Sequence, residues 1–125
     1  MLFGDDTELT DRIIGCAIEI HKHLGPGLLE CVYEAAMCNE LRDAGIPHAG
    51  QIGVPLFYKG ELISEHRPDL VVDGRVVVEV KSVERLDPIH TAQLLTYLRG
   101  TNLKTELVLN FNTSMMRPGI RRVVL

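Results

Sequence analysis

The sequence predicts an α/β fold, because runs with helical spacing and runs with strand spacing alternate along it. Two helix-period runs come first and a set of β-branched runs fills the middle. A third helix then precedes two short apolar strands. The expected order is helix, helix, three strands, helix, two strands.

Leu9, Ile13, Cys16, Ala17, Ile20 and Leu24 recur every three or four residues, with Thr7 or Thr10 placed to cap the start. Gly25-Pro26-Gly27 ends this helix, glycine giving a left-handed exit and proline barring continuation. A second helix is expected from Leu28 to Ala44, closed by Gly45. Only Glu30 and Glu34 are charged between Leu28 and Cys38, which implies a helix apolar on most sides and well buried. Ile52, Val54, Leu56 and Tyr58 alternate as in a half-buried strand. Lys59-Gly60 turns the chain into a second strand, Glu61 to Val72, and Asp73-Gly74 signals a hairpin. The third strand, Arg75 to Ser82, holds Val76, Val77, Val78 and Val80, a pattern for a central strand covered on both faces. Asp87 is placed to cap the third helix, with Pro88 at its first position, where a missing N–H costs nothing. Leu94, Leu95 and Leu98 form its core stripe, and Glu106 to Phe111 and Gly119 to Val124 read as the last strands.

With 125 residues, 46% apolar and 24% charged, the chain fits one domain over residues 1–125 with a sizeable core. No run approaches the ~20 apolar residues of a membrane span. Asp5 and Asp6 stand where a secretory signal would carry basic residues, so a cytoplasmic location is expected. Cys16, Cys31 and Cys38 are an odd count without a C-x-x-C pair, and read as reduced, mostly buried thiols. The net charge of −4 argues against gripping nucleic acid by bulk electrostatics. It divides into −6 over residues 1–63 and +2 over 64–125, so a phosphate-facing surface belongs to the second half.

Chemistry concentrates at Glu79-Val80-Lys81. Side chains alternate along a strand, so Glu79 and Lys81 share one face. Two charges deep on a buried strand are costly unless paired or bound to a metal. Arg67-Pro68-Asp69 sets another carboxylate on the neighbouring strand. A two-residue Asp73-Gly74 turn would pair Val72 with Arg75 and send Asp69 and Glu79 to opposite faces. A bulged turn over Val72-Asp73-Gly74 would pair Val71 with Arg75 and make the two acids diagonal neighbours. If the carboxylates act together, that bulge, or another with the same effect, is expected. Asp69 and Glu79 with the Val80 carbonyl suit Mg²⁺ or Mn²⁺, which neutralises phosphate charge and acidifies a bound water. Lys81 suits orientation of that water or stabilisation of developing negative charge. The plainer alternative is an ion pair on the sheet face between Lys81 and one acid.

Two helices add candidates. Glu30 and Tyr33 share a face of the second, although a first-turn carboxylate also suits the helix dipole. His90, Gln93 and Tyr97 lie along one side of the third, which is also what an ordinary polar face looks like. Gly25-x-Gly27 lacks a dinucleotide loop's preceding strand and third glycine, no Walker lysine or G-x-S-x-G occurs, and nothing marks a histidine partner for Cys31.

Gly27-Leu28-Leu29-Glu30-Cys31-Val32-Tyr33 resembles the G-x-x-E-x-x-Y signature of the GxxExxY proteins, grouped with the PD-(D/E)XK nuclease superfamily. The resemblance continues through Arg67-Pro68-Asp69, Glu79-Val80-Lys81 and His90-x-x-Gln93-Leu94-Leu95-x-Tyr97-Leu98. It reaches Asn110-Phe111 and Gly119-Ile120-Arg121-Arg122, covering nearly the whole chain. It implies a restriction-endonuclease-like core, a mixed sheet with an antiparallel three-strand meander flanked by helices. It further implies that Glu30, Asp69 and Glu79 hold the metal, that Lys81 is the catalytic lysine, and that Gln93 supports metal or substrate.

Together these readings point to a Mg²⁺- or Mn²⁺-dependent nuclease acting on DNA, with catalytic residues Lys81, Glu79, Asp69 and Gln93. Tyr33, Arg67, His90, Tyr97, Arg121 and Arg122 are candidate substrate contacts, with Lys59 and Arg85 as further phosphate contacts. The acidic balance favours the alternative of a non-catalytic binding module, or a subunit of a nucleic-acid-processing complex. A third reading is a small α/β protein with a structural ion-pair network. The sequence leaves a homodimer or a protein partner open and implies no membrane partner.

Overall fold

A computed structural model describes residues 6–89, 95, 98, 99 and 102–125. Helices α1 (Thr7–Leu24) and α2 (Glu30–Asp43) are followed by strands β1 (His48–Gly50), β2 (Val54–Tyr58), β3 (Glu61–His66), β4 (Leu70–Val72) and β5 (Val76–Lys81). After β5, residues 88, 89, 95, 98 and 99 are helical. Strand β6 (Thr105–Asn110), a 3₁₀ turn at Arg117–Gly119 and β7 (Ile120–Val124) complete the order.

The main sheet runs β1-β4-β5-β6-β7, and β2-β3 forms a separate two-stranded sheet. Strand β5 is antiparallel to β4 and parallel to β6, so the sheet is mixed around a central strand. The antiparallel meander is therefore β1-β4-β5, with the β2-β3 hairpin inserted between its first two strands. This corrects the expectation of one strand from Glu61 to Val72, which breaks over residues 67–69. Buried Pro68 sits in that break and has no N–H to give a ladder.

Alternation along the sheet gives it two different faces. Leu70, Val72, Val76, Val78, Val80, Leu107 and Leu109 join the core formed with Leu9, Ile13, Ala17 and Ile20 of α1 and the buried stripe of α2. Val77, Glu79, Glu106 and Val108 are also buried but occupy the opposite face. Helix α2 buries only Tyr33, Met37 and Leu41, one stripe at four-residue spacing. Leu29 is 73% exposed and Val32 40%, so the helix is not apolar-buried on most sides. It packs against α1 and against β5 and β1 of the sheet chiefly through that stripe, and its remaining faces are open.

Asp6, not Thr7 or Thr10, occupies the position before α1, and its carboxylate makes no cap bond. It accepts from Thr105 Oγ1 at 2.8 Å and from Arg75 Nε at 3.0 Å, joining the helix start to β6 and the β4-β5 turn. Gly25 leaves α1 at φ 68°, as glycine allows. Asp87 Oδ1 accepts the Ile89 N–H at 3.0 Å, so Asp87 caps the helical start at 88–89. Of the cysteines, Cys31 is exposed and Cys16 and Cys38 are half-buried, so none is a fully buried thiol. Burial pushes the Cys16 and Cys38 thiols up, away from the reactive thiolate.

Candidate active site

The β4-β5 turn decides whether the two central acids meet. Asp73 (φ 52°) and Gly74 (φ 63°) are both left-handed, and the Arg75 N–H closes the turn on the Val72 carbonyl at 3.0 Å. Arg75 is the extra residue, since Val72 pairs with Val76 and Leu70 with Val78. Neither turn considered from sequence forms; the three loop residues are 73–75. One further step along this register sets Asp69 opposite Glu79 on the same face. The two acids thus meet on one face, the effect expected of a bulge, and their carboxyls interact there.

The end of β4 leaves the Val80 N–H without a strand partner on that side. The Asp69 carboxylate takes its place, Oδ2 accepting from Val80 N at 2.7 Å. N–H and C=O of one strand residue point the same way. The Val80 carbonyl is therefore directed toward Asp69 as well.

Glu79 is only 7% exposed. Burial, and then the neighbouring Asp69 carboxylate, push its carboxyl up to about 8, against a smaller opposing pull from Lys81. His66, from the end of β3, places Nε2 2.9 Å from Glu79 Oε1. Burial also drives the His66 imidazole down, toward its neutral form. Both shifts favour the neutral forms, so the contact is a hydrogen bond rather than an ion pair.

Lys81 is half-buried beside Glu79 and forms no salt bridge among the described residues. The plain ion pair between Lys81 and an acid is thus not what this face holds. Burying a lysine next to acids without a direct partner leaves its charge available to something else.

Glu30 begins α2, and its Oε2 accepts the Ser82 N–H at 3.2 Å just past the end of β5. Ser82 Oγ donates to the Leu28 carbonyl at 2.6 Å, so α2 and β5 are clamped at this point. Among the described residues, no three of His, Cys, Asp and Glu gather closely enough to hold a metal ion by themselves. Glu30 is accordingly not drawn into one cluster with Asp69 and Glu79, contrary to the expected three-acid set. The remaining donors fit a divalent cation in kind. They are two opposed carboxylates, hard oxygens whose mutual repulsion a cation would relieve, with the Val80 carbonyl alongside.

Tyr33 is corrected from substrate contact to scaffold. Its side chain is fully buried, its ring stacks on Phe111 at 4.4 Å, and its hydroxyl donates to the Gly25 carbonyl at 2.5 Å. That oxygen also accepts the Leu28 N–H at 3.1 Å, so it fastens the α1-α2 connection. Tyr33→Phe is expected to cost about 0.5–1.5 kcal/mol by removing hydrogen bonds to two part-buried backbone groups, the Gly25 carbonyl and the Leu28 N–H. Urea unfolding would show that loss, while activity per folded molecule stays at the wild-type level.

The basic candidates divide by face. Arg121 pairs with Val108, itself paired with Glu79, so all three lie in one row on the acid face. Its Nη1 is bonded to the Pro118 and Ile120 carbonyls at 2.8 and 2.9 Å. Arg122 pairs with Leu107 on the helix side and reaches Thr7 at 3.4 Å, so it is not on that face. Arg67 is exposed and pairs with Glu65 at 3.3 Å. Lys59 lies 5.4 Å over the Tyr58 ring at the hairpin tip, and Arg85 is exposed. His90, Gln93 and Tyr97 lie outside the described residues.

Three acidic or basic residues near the site escaped the sequence reading. His66 has no local pattern marking it, since only the fold of the hairpin delivers it to Glu79. Glu34 is half-buried; burial raises its carboxyl, Gln51 bonding opposes this, and Asp69 and Glu30 raise it further. The Glu30/Glu34 pair at i and i+4 was its signal, because like charges at that spacing repel. Glu106 is fully buried on β6, and neither of its oxygens has a hydrogen-bond partner among the described residues. Burial and Glu79 push it up to about 8, with Lys81 opposing.

A mixed sheet with an aspartate facing a Glu-x-Lys at the end of its central strand is the architecture of a restriction-endonuclease-like domain. The family model of the PD-(D/E)XK nuclease superfamily matches residues 7–123, and the chain belongs to that superfamily. No curated protein and no solved structure matches it.

Proposed function

We propose that this single domain, residues 1–125, is a GxxExxY-type metal-dependent nuclease that hydrolyses phosphodiester bonds in DNA. The observation that carries the reading is that Asp69 and Glu79 meet on one face with Lys81 next to them, free of an ion pair among the described residues. Asp69, Glu79 and the Val80 carbonyl would hold Mg²⁺ or Mn²⁺, which when bound supplies neutralisation of phosphate charge and a more acidic water. Asp69 is fixed by the Val80 N–H, and Glu79 by His66 and Asp69, so both carboxyls already stand where a cation would bridge them. Lys81 orients the attacking water or stabilises negative charge on the phosphate oxygens. Glu30 shapes the site indirectly, by holding the α2 start against Ser82. Arg121 and Arg67 are the phosphate contacts on or beside the acid face, with Gln93, His90 and Tyr97 assigned to support of metal or substrate. A cytoplasmic location fits a DNA substrate.

The overall charge of −4 favours a second reading, a nuclease-fold module that binds nucleic acid or a processing complex without cutting. Lys81→Met separates the two. For the nuclease, Mn²⁺ affinity is retained while cleavage of plasmid or oligonucleotide DNA falls roughly 10²–10³-fold. Saturable nucleic-acid binding with no cleavage by wild type in Mg²⁺ or Mn²⁺ would instead establish the module.

A further inference from the structure

We propose that His66 is the positioning residue of the metal site, holding Glu79 so that one carboxylate oxygen is occupied and the other is presented beside Asp69. The inference rests on the metal-site reading above and adds to it a residue from outside the motif strands.

The argument begins with Glu79 itself. Once Glu79 is ionised, as metal ligation requires, a carboxylate facing another carboxylate across a strand pair turns away unless something opposes the repulsion. Its outer bond is also soft, because a glutamate's last torsion is broad and has no strong rotamer preference. The His66 ring supplies the restraint, with Nε2 at 2.9 Å from Oε1. Asp69 is restrained separately by the Val80 N–H at 2.7 Å. Glu79 is thus held by His66 and also meets Asp69, so both carboxyls are restrained where a cation would bridge them.

The element that carries His66 makes the restraint deliberate in structural terms. Val54 pairs with His66, so the residue stands at the base of the β2-β3 hairpin, where it meets the main sheet. His66 is only half-buried, whereas β3 from Glu61 to Glu65 is exposed throughout. The chain then breaks over residues 67–69 and enters β4. His66 and Asp69 are therefore three residues apart and reach the same glutamate from one irregular segment. In the loaded site Glu79 is ionised, and Nε2–H is the donor to Oε1. Outer-sphere donors of this kind orient a ligating carboxylate and commonly change metal affinity by roughly 10–100-fold.

The test is Mn²⁺ titration of the full chain by calorimetry, with spin-echo spectroscopy of the bound Mn²⁺. Wild type is expected to bind saturably without nitrogen modulation, because the imidazole orients a ligand and is not one. His66→Phe is expected to weaken binding roughly 10–100-fold, and His66→Gln, which keeps a donor at similar reach, recovers most of it. Thermal melts of both variants verify that the fold is retained. Unchanged affinity in a folded His66→Phe overturns the assignment while leaving the metal site intact. Strong nitrogen modulation in wild type, lost in His66→Gln, overturns it in favour of direct ligation. Absence of Mn²⁺ binding by wild type overturns the metal-site reading, and this inference with it.

Discussion

Asp69→Asn combined with Glu79→Gln is expected to abolish saturable Mn²⁺ binding and to lower DNA cleavage on the order of 10³-fold. Both substitutions keep side-chain volume and hydrogen-bonding capacity. The Asp69 amide oxygen can still accept the Val80 N–H, and the Glu79 amide can still meet His66. What disappears is paired negative charge, the property a divalent cation needs. Because Glu79 is buried and pushed up to about 8 by burial and by Asp69, removing this charge does not weaken the fold. The double variant should therefore melt at or above the wild-type temperature at pH 8. Calorimetric titration, a cleavage assay and a circular-dichroism melt on the same preparation check all three expectations. Wild-type cleavage by a folded double variant would move the reaction elsewhere in the molecule.

The parts of the fold that show plainly in the sequence are those whose burial has a period. Leu9, Ile13, Ala17 and Ile20 define α1, and the valines of β5 announce a strand covered on both faces. The inserted hairpin is harder to read. Glu61 to Val72 has strand composition throughout, yet its two halves belong to different sheets. Pro68 carried the information, since a proline interior to a run argues against one continuous ladder. Strand β1 has three residues, His48, Ala49 and Gly50, and no apolar pattern to detect. It forms because β4 offers an edge, with Ala49 paired to Val71.

The candidate site divides in the same way. Asp69, Glu79 and Lys81 are visible because charges on strongly apolar strands conflict with local propensity, and such conflicts mark functional positions. The register that opposes them is not visible. It depends on Asp73 accepting a left-handed conformation and on Arg75 becoming the extra residue, a choice among turns close in energy. Tyr33 misled for a related reason. Helical spacing places it beside Glu30, but the ring packs on Phe111, and that partner is 78 positions away in the chain.

Glu106→Leu is expected to stabilise the protein at pH 8 and to flatten its pH dependence. Glu106 is wholly buried, without a hydrogen-bond partner for either oxygen among the described residues. Its carboxyl stands at about 8, from burial first and Glu79 second, against an ordinary 4.5. Between those values the folded chain holds a proton that the unfolded chain has released. Stability therefore falls as pH rises through this window, by about 1.4 kcal/mol per pH unit for each group that differs by a full proton. Glu79 adds a slope of the same sign, and the two acids titrate as a coupled pair. His66 acts oppositely, since its lowered value makes the fold lose stability as pH falls below about 6.5. The clean window is thus about pH 7–8, where His66 is largely neutral both folded and unfolded. Leucine fills a similar space without a charge to desolvate, and such replacements are often worth roughly 1–4 kcal/mol. Urea unfolding at pH 7 and pH 8 should show wild type losing stability between the two and Glu106→Leu losing distinctly less. Equal slopes would mean that Glu106 is solvated or paired when the chain is folded. A variant that gains stability but loses Mn²⁺ affinity would show that this carboxylate is retained for the site, as a natural protein keeps a costly buried charge where function needs it.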